Sequence, residues 1–351
     1  MPARLQRLRE RTNGYTVTPA QYVRVAYVAL GALTLIVLSG AAVRLTGSGL
    51  GCPDWPKCYG KAYPPLTAHA VIEFSNRMIT GPVSIAAGAA WLLALRRRPY
   101  RRDLAWLGAL LPLGVIGQAV LGGFTVRGAL DYGWVMGHFA LSMLIILAAV
   151  LLAWRAAREP DVRRAEEPER DADTGSASRS SAEDRTLVWS LRGLAAFGAL
   201  VIFAGTAATA AGPHAGGSPG QKINRLSFDG RGTMDFVIHR HAEIAFVFSV
   251  AAVAVWWLAR RREAGPGVRR ALTALCVLLA LQGVVGLVQY ATQLPTELVW
   301  VHVGLACGAW VSVLWAACAA GRLAPRRARN TAERALDGPL RPVAPVKFPG
   351  N

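Results

Sequence analysis

Apolar residues in this chain are gathered into eight long blocks, which short segments rich in arginine, glycine and proline separate. A bilayer has a hydrocarbon core of about 30 Å, and a helix of about 20 mostly apolar residues crosses it. The blocks are long enough for this. The pattern therefore predicts eight transmembrane helices, over residues 22–43, 71–95, 104–125, 132–154, 187–210, 237–259, 271–291 and 298–320.

Composition and charge agree with a membrane protein. Hydrophobic residues make up 53% of the chain and charged residues 17%, and the formal net charge is +18. The arginines cluster in alternate loops, so the positive-inside rule places both termini in the cytoplasm. A nucleic-acid-binding protein would carry its basic residues among aromatics on a soluble face, and this distribution argues against it. We expect a multi-pass protein of the cytoplasmic membrane.

The chain also repeats itself at an interval of 163 to 165 residues. The matching segments are SGAA at 39–42 with AGTA at 204–207, QAVLG at 118–122 with QGVVG at 282–286, Asn76-Arg77 with His239-Arg240, and His138 with His302. Matches in one order at nearly constant spacing indicate a duplication. The predicted fold is all-α, with two tandem pseudo-symmetric four-helix bundles.

The duplication gives a predicted domain plan. A polar segment rich in arginine, acidic residues and serine separates the halves and has no apolar periodicity, which is typical of a disordered linker. The plan is a cytoplasmic tail at 1–21, a first bundle at 22–154, a disordered cytoplasmic linker at 155–186, a second bundle at 187–320 and a disordered tail at 321–351.

Histidines within the predicted spans are candidate haem ligands, because an ionisable side chain inside a membrane is costly and usually functional. His239 and His302 start the sixth and eighth spans at one predicted depth. Two neutral imidazoles on facing helices can supply both axial ligands of a haem. The alternative is a hydrogen-bonded pair without a cofactor. The first half has Asn76 and His138 in the equivalent places, so it offers one imidazole.

Glu73, Asn76 and Arg77 share one face of the second predicted helix. The second half has Phe236 where Glu73 stands, so we expect a reactive first half with Glu73 as its catalytic group and a second half that holds a fixed cofactor. An ion pair with Arg77 is the alternative for Glu73. Arg77 and Arg240 recur at equivalent positions and are predicted either to bind propionates or phosphates or to extend to the membrane interface.

Cys52 and Cys58 flank the sequence PDWPK in the first outward loop. An oxidising exterior would let them form a disulfide, and a metal site completed by His69 is the alternative. His69 and His214 lie in outward loops and are expected to be structural. His241 follows the sixth-span candidate by two residues, so we expect it to point to another face and to be secondary.

The sequence VRLTGSGLGCPDWPKC at 43–58, with IEFSNR at 72–77, closely resembles the haem A synthases. The resemblance continues through His138, His239-Arg240 and His302 over nearly all eight spans. It implies an enzyme that oxidises the C8 methyl of haem O to a formyl group through a hydroxymethyl stage, with water as the oxygen source. Asn76 departs from the family pattern, which usually has histidine at this position.

The resemblance also implies the cofactors and the roles of the site residues. It implies a resident haem b on His239 and His302, a substrate haem O in the first half with His138 at its iron and Glu73 near the reacting carbon, and a Cys52–Cys58 disulfide. The expected partners are the lipid bilayer, a quinone or other electron acceptor, and as candidates the haem O synthase and oxidase assembly factors. Homo-oligomerisation stays open.

Two other functions stay open beside the synthase. One is a b-type quinone-linked electron-transfer cytochrome, which predicts a histidine pair in each half. The presence of Asn76 in the first half counts against it. The other is a haem or small-molecule transporter, which predicts paired helix breaks at mid-membrane.

Overall fold

In the computed structural model, the described residues are 14–158, 177–218, 220–228 and 232–321, without the side chains of 177–184. They form eight helices: α1 (Pro19–Leu45), α2 (Ala68–Arg96), α3 (Arg102–Arg127), α4 (Tyr132–Ala156), α5 (Ala177–Ala211), α6 (Thr233–Arg261), α7 (Pro266–Ala291) and α8 (Thr296–Ala319). Each is long and apolar enough to cross a membrane. No sheet strand occurs in the described part of the chain, so the predicted all-helical membrane class is confirmed.

The helices extend beyond the apolar blocks at most of their ends, because polar capping groups and not hydrophobicity decide where a helix starts. At the start of α1, the Thr18 hydroxyl accepts from the Gln21 amide and the Gln21 side chain accepts from the Thr18 amide. At the start of α4, the Asp131 carboxylate accepts from the Gly133 amide. Proline at the first position of α1 and α7 removes a donor that would have no partner there.

The predicted disordered linker differs from the structure at both ends. Helix α4 continues to Ala156, and α5 begins at Ala177, ten residues before the predicted start of the fifth span. Lengthening a helix that already exists costs less than starting a new one, so a polar segment next to an apolar span can join its helix. The remainder of the linker and nearly all of the C-terminal tail lie outside the described residues, as does most of the N-terminal tail.

The helices pack into two rings of four. In the first ring α1 and α3 each contact α2 and α4, and in the second ring α6 and α8 each contact α5 and α7. Helices α8 and α5 also pack on the first ring, where the Trp310 indole donates to the Met143 carbonyl (3.1 Å) and the Trp300 indole to the Leu38 carbonyl (2.9 Å). The residue limits of the two bundles and the cytoplasmic side of the termini stay predictions.

The ends of α1 and α5 meet at one side of the rings. The Gly49 amide donates to the Gly216 carbonyl (2.8 Å), and the Ser218 hydroxyl donates to the Gly47 carbonyl (2.9 Å). Gly47 has a φ of 66°, and a Cβ there would lie 2.9 Å from the Gly217 carbonyl oxygen, so only glycine fits. Arg44 adds bonds to the carbonyls of His214 (2.9 Å) and Thr209 (3.1 Å). These contacts fix the two halves to each other.

Candidate functional site

Two imidazoles face each other in the second ring, and they are those of His241 on α6 and His302 on α8. Their ring centres are 6.3 Å apart. The Nδ1 atoms of both rings are buried, and neither has a hydrogen-bond partner among the described residues. A buried polar nitrogen without a partner costs free energy, so these rings have bonding capacity that the chain itself does not use.

The prediction that His239 faces His302 is wrong. His239 is exposed, its Nδ1–H donates to the Asp235 carbonyl (2.7 Å), and its ring lies 5.8 Å from that of Tyr290. A step of two residues turns about 200° around a helix, so His239 and His241 lie on opposite faces. His241, predicted to be secondary, is the residue that turns inward.

The separation of the two rings fits a haem iron between them. A metal–imidazole bond is about 2.0–2.1 Å long and the ring centre lies about 1 Å behind the nitrogen, so two imidazoles that would hold one metal ion need ring centres about 6 Å apart. The 6.3 Å found here allows this. Haem needs only two protein ligands. No group of three histidine, cysteine or acidic side chains suited to a bare metal ion occurs in the described part of the chain.

Glycines hold both rings in place. A Cβ added at Gly205 on α5 would lie 3.0 Å from Cε1 of His241, and one added at Gly286 on α7 would lie 3.4 Å from Cε1 of His302. The absence of a side chain on these two neighbours lets the rings approach the helix backbones closely. Each of the two imidazoles in the second half therefore packs on a glycine of a neighbouring helix.

The first ring repeats half of this arrangement. His138 on α4 packs on Gly122 of α3, where an added Cβ would lie 3.5 Å from its Cε1. The Gln118 side-chain amide donates to the His138 carbonyl (3.0 Å) and to the Ser142 hydroxyl (2.8 Å). Nδ1 of His138 is buried and has no partner among the described residues. Gly122 and His138 thus reproduce Gly286 and His302.

At the interval of 165 residues that relates Gly40 to Gly205, Asn76 matches His241. Its Oδ1 accepts from the Ser39 hydroxyl (2.7 Å) on α1. A Cβ added at Gly40, which matches Gly205 in the repeat, would meet nothing within 4 Å. Asn76 therefore bonds to Ser39 and does not pack on the matching glycine as His241 packs on Gly205.

Glu73 lies on α2 one helical turn before Arg77, and its residue is 5% exposed. Its Oε2 accepts from the Cys52 amide (2.7 Å), and its Oε1 accepts from Arg77 (2.5 Å). A carboxylate has about four acceptor positions, so these two bonds fix its orientation and leave others for a ligand. The expected ion pair is present, and it is compatible with a catalytic role for Glu73.

Arg77 differs from both of its expected roles, because its guanidinium points into the loop before α2. It donates to the carbonyls of Asp54 (3.0 Å) and Lys57 (2.9 Å), and more weakly to those of Cys52 and Pro56 (both 3.4 Å). These carbonyls and Glu73 occupy the donors that a propionate would need. Arg77 therefore positions the loop and Glu73 together.

The loop that Arg77 holds is closed by a disulfide between Cys52 and Cys58, as predicted. The bond excludes the alternative metal site with His69. The Asp54 carboxylate accepts from the amides of Gly60 (2.7 Å) and Tyr59 (2.6 Å). The Gly60 amide in particular lowers the pKa of Asp54 below its usual value, because it stabilises the anion.

The remaining predicted residues are Arg240, His69 and His214, and their side chains form no hydrogen bond with the buried imidazoles or with Glu73. Arg240 is half-exposed and pairs with Glu243 (2.6 Å), which agrees with the interface role more than with a buried anion site. Nδ1 of His69 lies 3.0 Å from the buried Ser48 hydroxyl. The His214 ring donates from Nε2 to the Leu294 carbonyl (2.7 Å). His69 lies in the first turn of α2, not in a loop, and His214 lies in the loop after α5; both have structural contacts.

Together these features define a class, a multi-pass helical membrane protein with a duplicated four-helix unit and buried imidazoles in both halves. The chain belongs to the cytochrome oxidase assembly protein family, whose model matches residues 23–314. That range takes in all eight helices except the end of α8 and the first residues of α1.

Individual relatives agree with this family. The heme A synthase of Lysinibacillus sphaericus is 38% identical over 134 residues, which are 36% of this chain and 42% of that protein. The heme A synthase of Bacillus pumilus is 32% identical over 34% of this chain and 40% of its own length. A Thermus thermophilus protein named protoheme IX farnesyltransferase is 27% identical over 86% of this chain and 49% of its own length. The chain spans less than half the length of each of these relatives.

Proposed function

We propose that this chain is an oxidoreductase of haem A biosynthesis that oxidises the C8 methyl of haem O to a formyl group. The relatives named heme A synthase support this reaction. The observation that carries the proposal is the inequality of the halves. One half pairs two imidazoles at 6.3 Å, and the other has one buried imidazole and a buried carboxylate.

In this proposal the second half holds a resident haem b. His241 and His302 would hold its iron, in place of the pair His239 and His302 that the resemblance implied. A haem b bound there supplies one-electron transfer at a fixed potential. The residues of the chain orient it: Gly205 and Gly286 set the positions of the rings, and the surrounding apolar helices exclude water.

The first half would receive haem O as substrate. His138 is the imidazole available to its iron, and Asn76 is a poor iron ligand. The reacting methyl is on the porphyrin edge and not at the iron, so the presence of Asn76 does not remove the chemistry. Helix α2 would then bring Glu73 to that edge.

Glu73 would act on the water and on the charge of the reacting carbon. Conversion of a methyl group to a formyl group takes one oxygen from water and releases four protons and four electrons. Two protons and two electrons are released when the methyl becomes a hydroxymethyl group, and two of each when that becomes the formyl group. A carboxylate in a site poor in water can orient the attacking water, accept its proton and stabilise positive charge at the carbon. Arg77 and the Cys52 amide keep the carboxylate in one orientation for this task.

The proposal also names partners. The released electrons require an acceptor, for which a membrane quinone is suitable. The match with the relative named protoheme IX farnesyltransferase covers only about half of that relative. The other half is thus a separate part of the same chain, and the name of this relative supports a haem farnesyltransferase as the source of haem O. Oxidase assembly factors would receive the haem A. The chain would lie in the cytoplasmic membrane with its termini in the cytoplasm, as the arginine distribution indicates.

The proposal can be tested by the haems of cells that make this protein beside a source of haem O, extracted and separated by chromatography. We expect haem A with the native chain and at least about a tenfold reduction with Glu73→Gln, since one charged group in the site is lost. Glu243→Gln is the matched control, because that carboxylate is exposed and lies in the other half. Unchanged haem O beside a bound haem b would instead identify an electron-transfer cytochrome.

A further inference from the structure

A groove of about 680 Å³ lies between α6 and α7, at the end of the rings where α6 finishes and α7 begins. Residues four apart on α6, Trp256 and Arg260, form one wall. The other wall is a face of α7 that starts at Arg269 and continues through Thr273 to Val277. The groove contains none of the residues of the proposed haem sites and has no part in the proposed oxidation.

The upper part of the groove, where α6 finishes and α7 begins, is strongly cationic. Arg260, Arg269 and Arg270 all line it, and none of the described residues that line it is acidic. Helix α7 begins beside it without a side-chain cap at Gly265, so the positive end of the helix dipole adds to the charge. Three guanidinium groups in one cleft match a phosphate, which they can bind with several charge-assisted hydrogen bonds.

The lower part of the groove is apolar. It is lined by Ala274, Val277 and Leu278, which continue along α7 toward the middle of the membrane span. Between the two parts, the Trp256 indole donates to the Thr273 hydroxyl (2.9 Å), and Arg260 lies 5.0 Å from the centre of the Trp256 ring. The indole is thus held at the boundary between the charged and the apolar part.

We propose that this groove is a binding site for one anionic glycerophospholipid. The phosphate of the headgroup would lie among the three arginines, and an acyl chain would lie along Val277 and Leu278. A free phosphate would use only the upper part, whereas a lipid satisfies both. Basic clefts between transmembrane helices at the cytoplasmic side commonly bind anionic headgroups, and the arginine distribution predicts that this end of the helices is cytoplasmic.

The site can be tested with the full-length protein in nanodiscs of phosphatidylcholine that contain a small fraction of phosphatidylglycerol, by native mass spectrometry of the lipids retained. The variant is Arg260→Gln with Arg269→Gln and Arg270→Gln. The matched control removes three exposed arginines at the same end, by Arg98→Gln, Arg102→Gln and Arg261→Gln. Quenching of tryptophan fluorescence by brominated phosphatidylglycerol, in the native protein and in Trp256→Phe, gives a second readout in which all the arginines of the groove are kept.

We expect one retained phosphatidylglycerol on the native and control proteins, and about fivefold weaker retention for each groove arginine removed, hence about a hundredfold for three. Quenching by brominated phosphatidylglycerol should exceed that by brominated phosphatidylcholine, and this excess should fall in Trp256→Phe. Equal retention of both lipids, or equal losses in the variant and the control, would overturn the proposal. Displacement of the lipid by millimolar inorganic phosphate would show an anion site without lipid specificity and would also overturn it.

Discussion

The pair formed by Glu73 and Arg77 gives a prediction whose size follows from burial. Their side chains are only 7% and 14% exposed. Removing one partner of a buried ion pair leaves the other charge buried and uncompensated, which costs about 3–5 kcal/mol. Arg77→Met should therefore destabilise the protein by about that amount, and its lost bonds to the loop carbonyls add to the effect.

A surface pair in the same protein is the matched control. The side chains of Arg240 and Glu243 are 55% and 54% exposed, and such pairs contribute at most about 1 kcal/mol. In thermal unfolding at one scan rate, Arg77→Met should lower the apparent melting temperature by about 6–20 °C and Arg240→Met by no more than about 4 °C.

A double variant separates the lost charge pair from lost packing. Glu73→Gln combined with Arg77→Met removes both charges, so it should recover part of the stability that Arg77→Met alone loses. Equal melting temperatures for Arg77→Met and Arg240→Met would refute the reasoning, as would a double variant less stable than the sum of its single changes.

Two further predictions concern the ring packing and the disulfide loop. Gly205→Ala should reduce haem b content, because the added Cβ would lie 3.0 Å from Cε1 of His241. Gly40→Ala should leave the haem b content unchanged, since nothing lies within 4 Å of a Cβ there, and equal haem spectra of the two purified variants would contradict this. The Asp54 carboxylate has a lowered pKa, so its hydrogen bond to the Gly60 amide is present at neutral pH and is lost as the pH falls through that lowered pKa. Asp54→Ala should therefore speed hydrogen exchange of the Gly60 amide at neutral pH, and an unchanged exchange rate would refute this hydrogen bond.

The apolar blocks predict the fold well because membrane helices need long apolar segments, and this demand is visible residue by residue. The ends of the helices are less visible. The pattern starts the seventh span at residue 271, but Pro266 begins α7, since a proline at the first position and the residues around it decide the start. Likewise α5 continues into a polar segment that has no apolar signal of its own.

The candidate site could be predicted only in part. The match of His138 with His302 at one repeat interval identifies both residues. The interval varies between 163 and 165 residues along the chain, so Asn76 matches His239 at one limit and His241 at the other. Only the packing of His241 on Gly205 settles which of the two turns inward. The match of Ser39-Gly40 with Ala204-Gly205 at 165 residues was the available signal, since the same interval relates Asn76 to His241.

The direction of the Arg77 side chain cannot be predicted from the sequence, for a different reason. Its acceptors are backbone carbonyls of a loop closed by a disulfide. Carbonyls are present at every residue, so no pattern of side chains marks the ones that a guanidinium will reach. The sequence predicts that an arginine is present near Glu73 and leaves its direction open.

The central claim is that the two halves have different duties, with a haem held between His241 and His302 in the second. Electron paramagnetic resonance of the purified protein tests it directly, because low-spin ferric haem with two imidazole ligands has its own signal. The account predicts that this signal disappears in His241→Ala and in His302→Ala and remains in His239→Ala. Loss of the signal in His239→Ala together with its retention in His241→Ala would contradict the account.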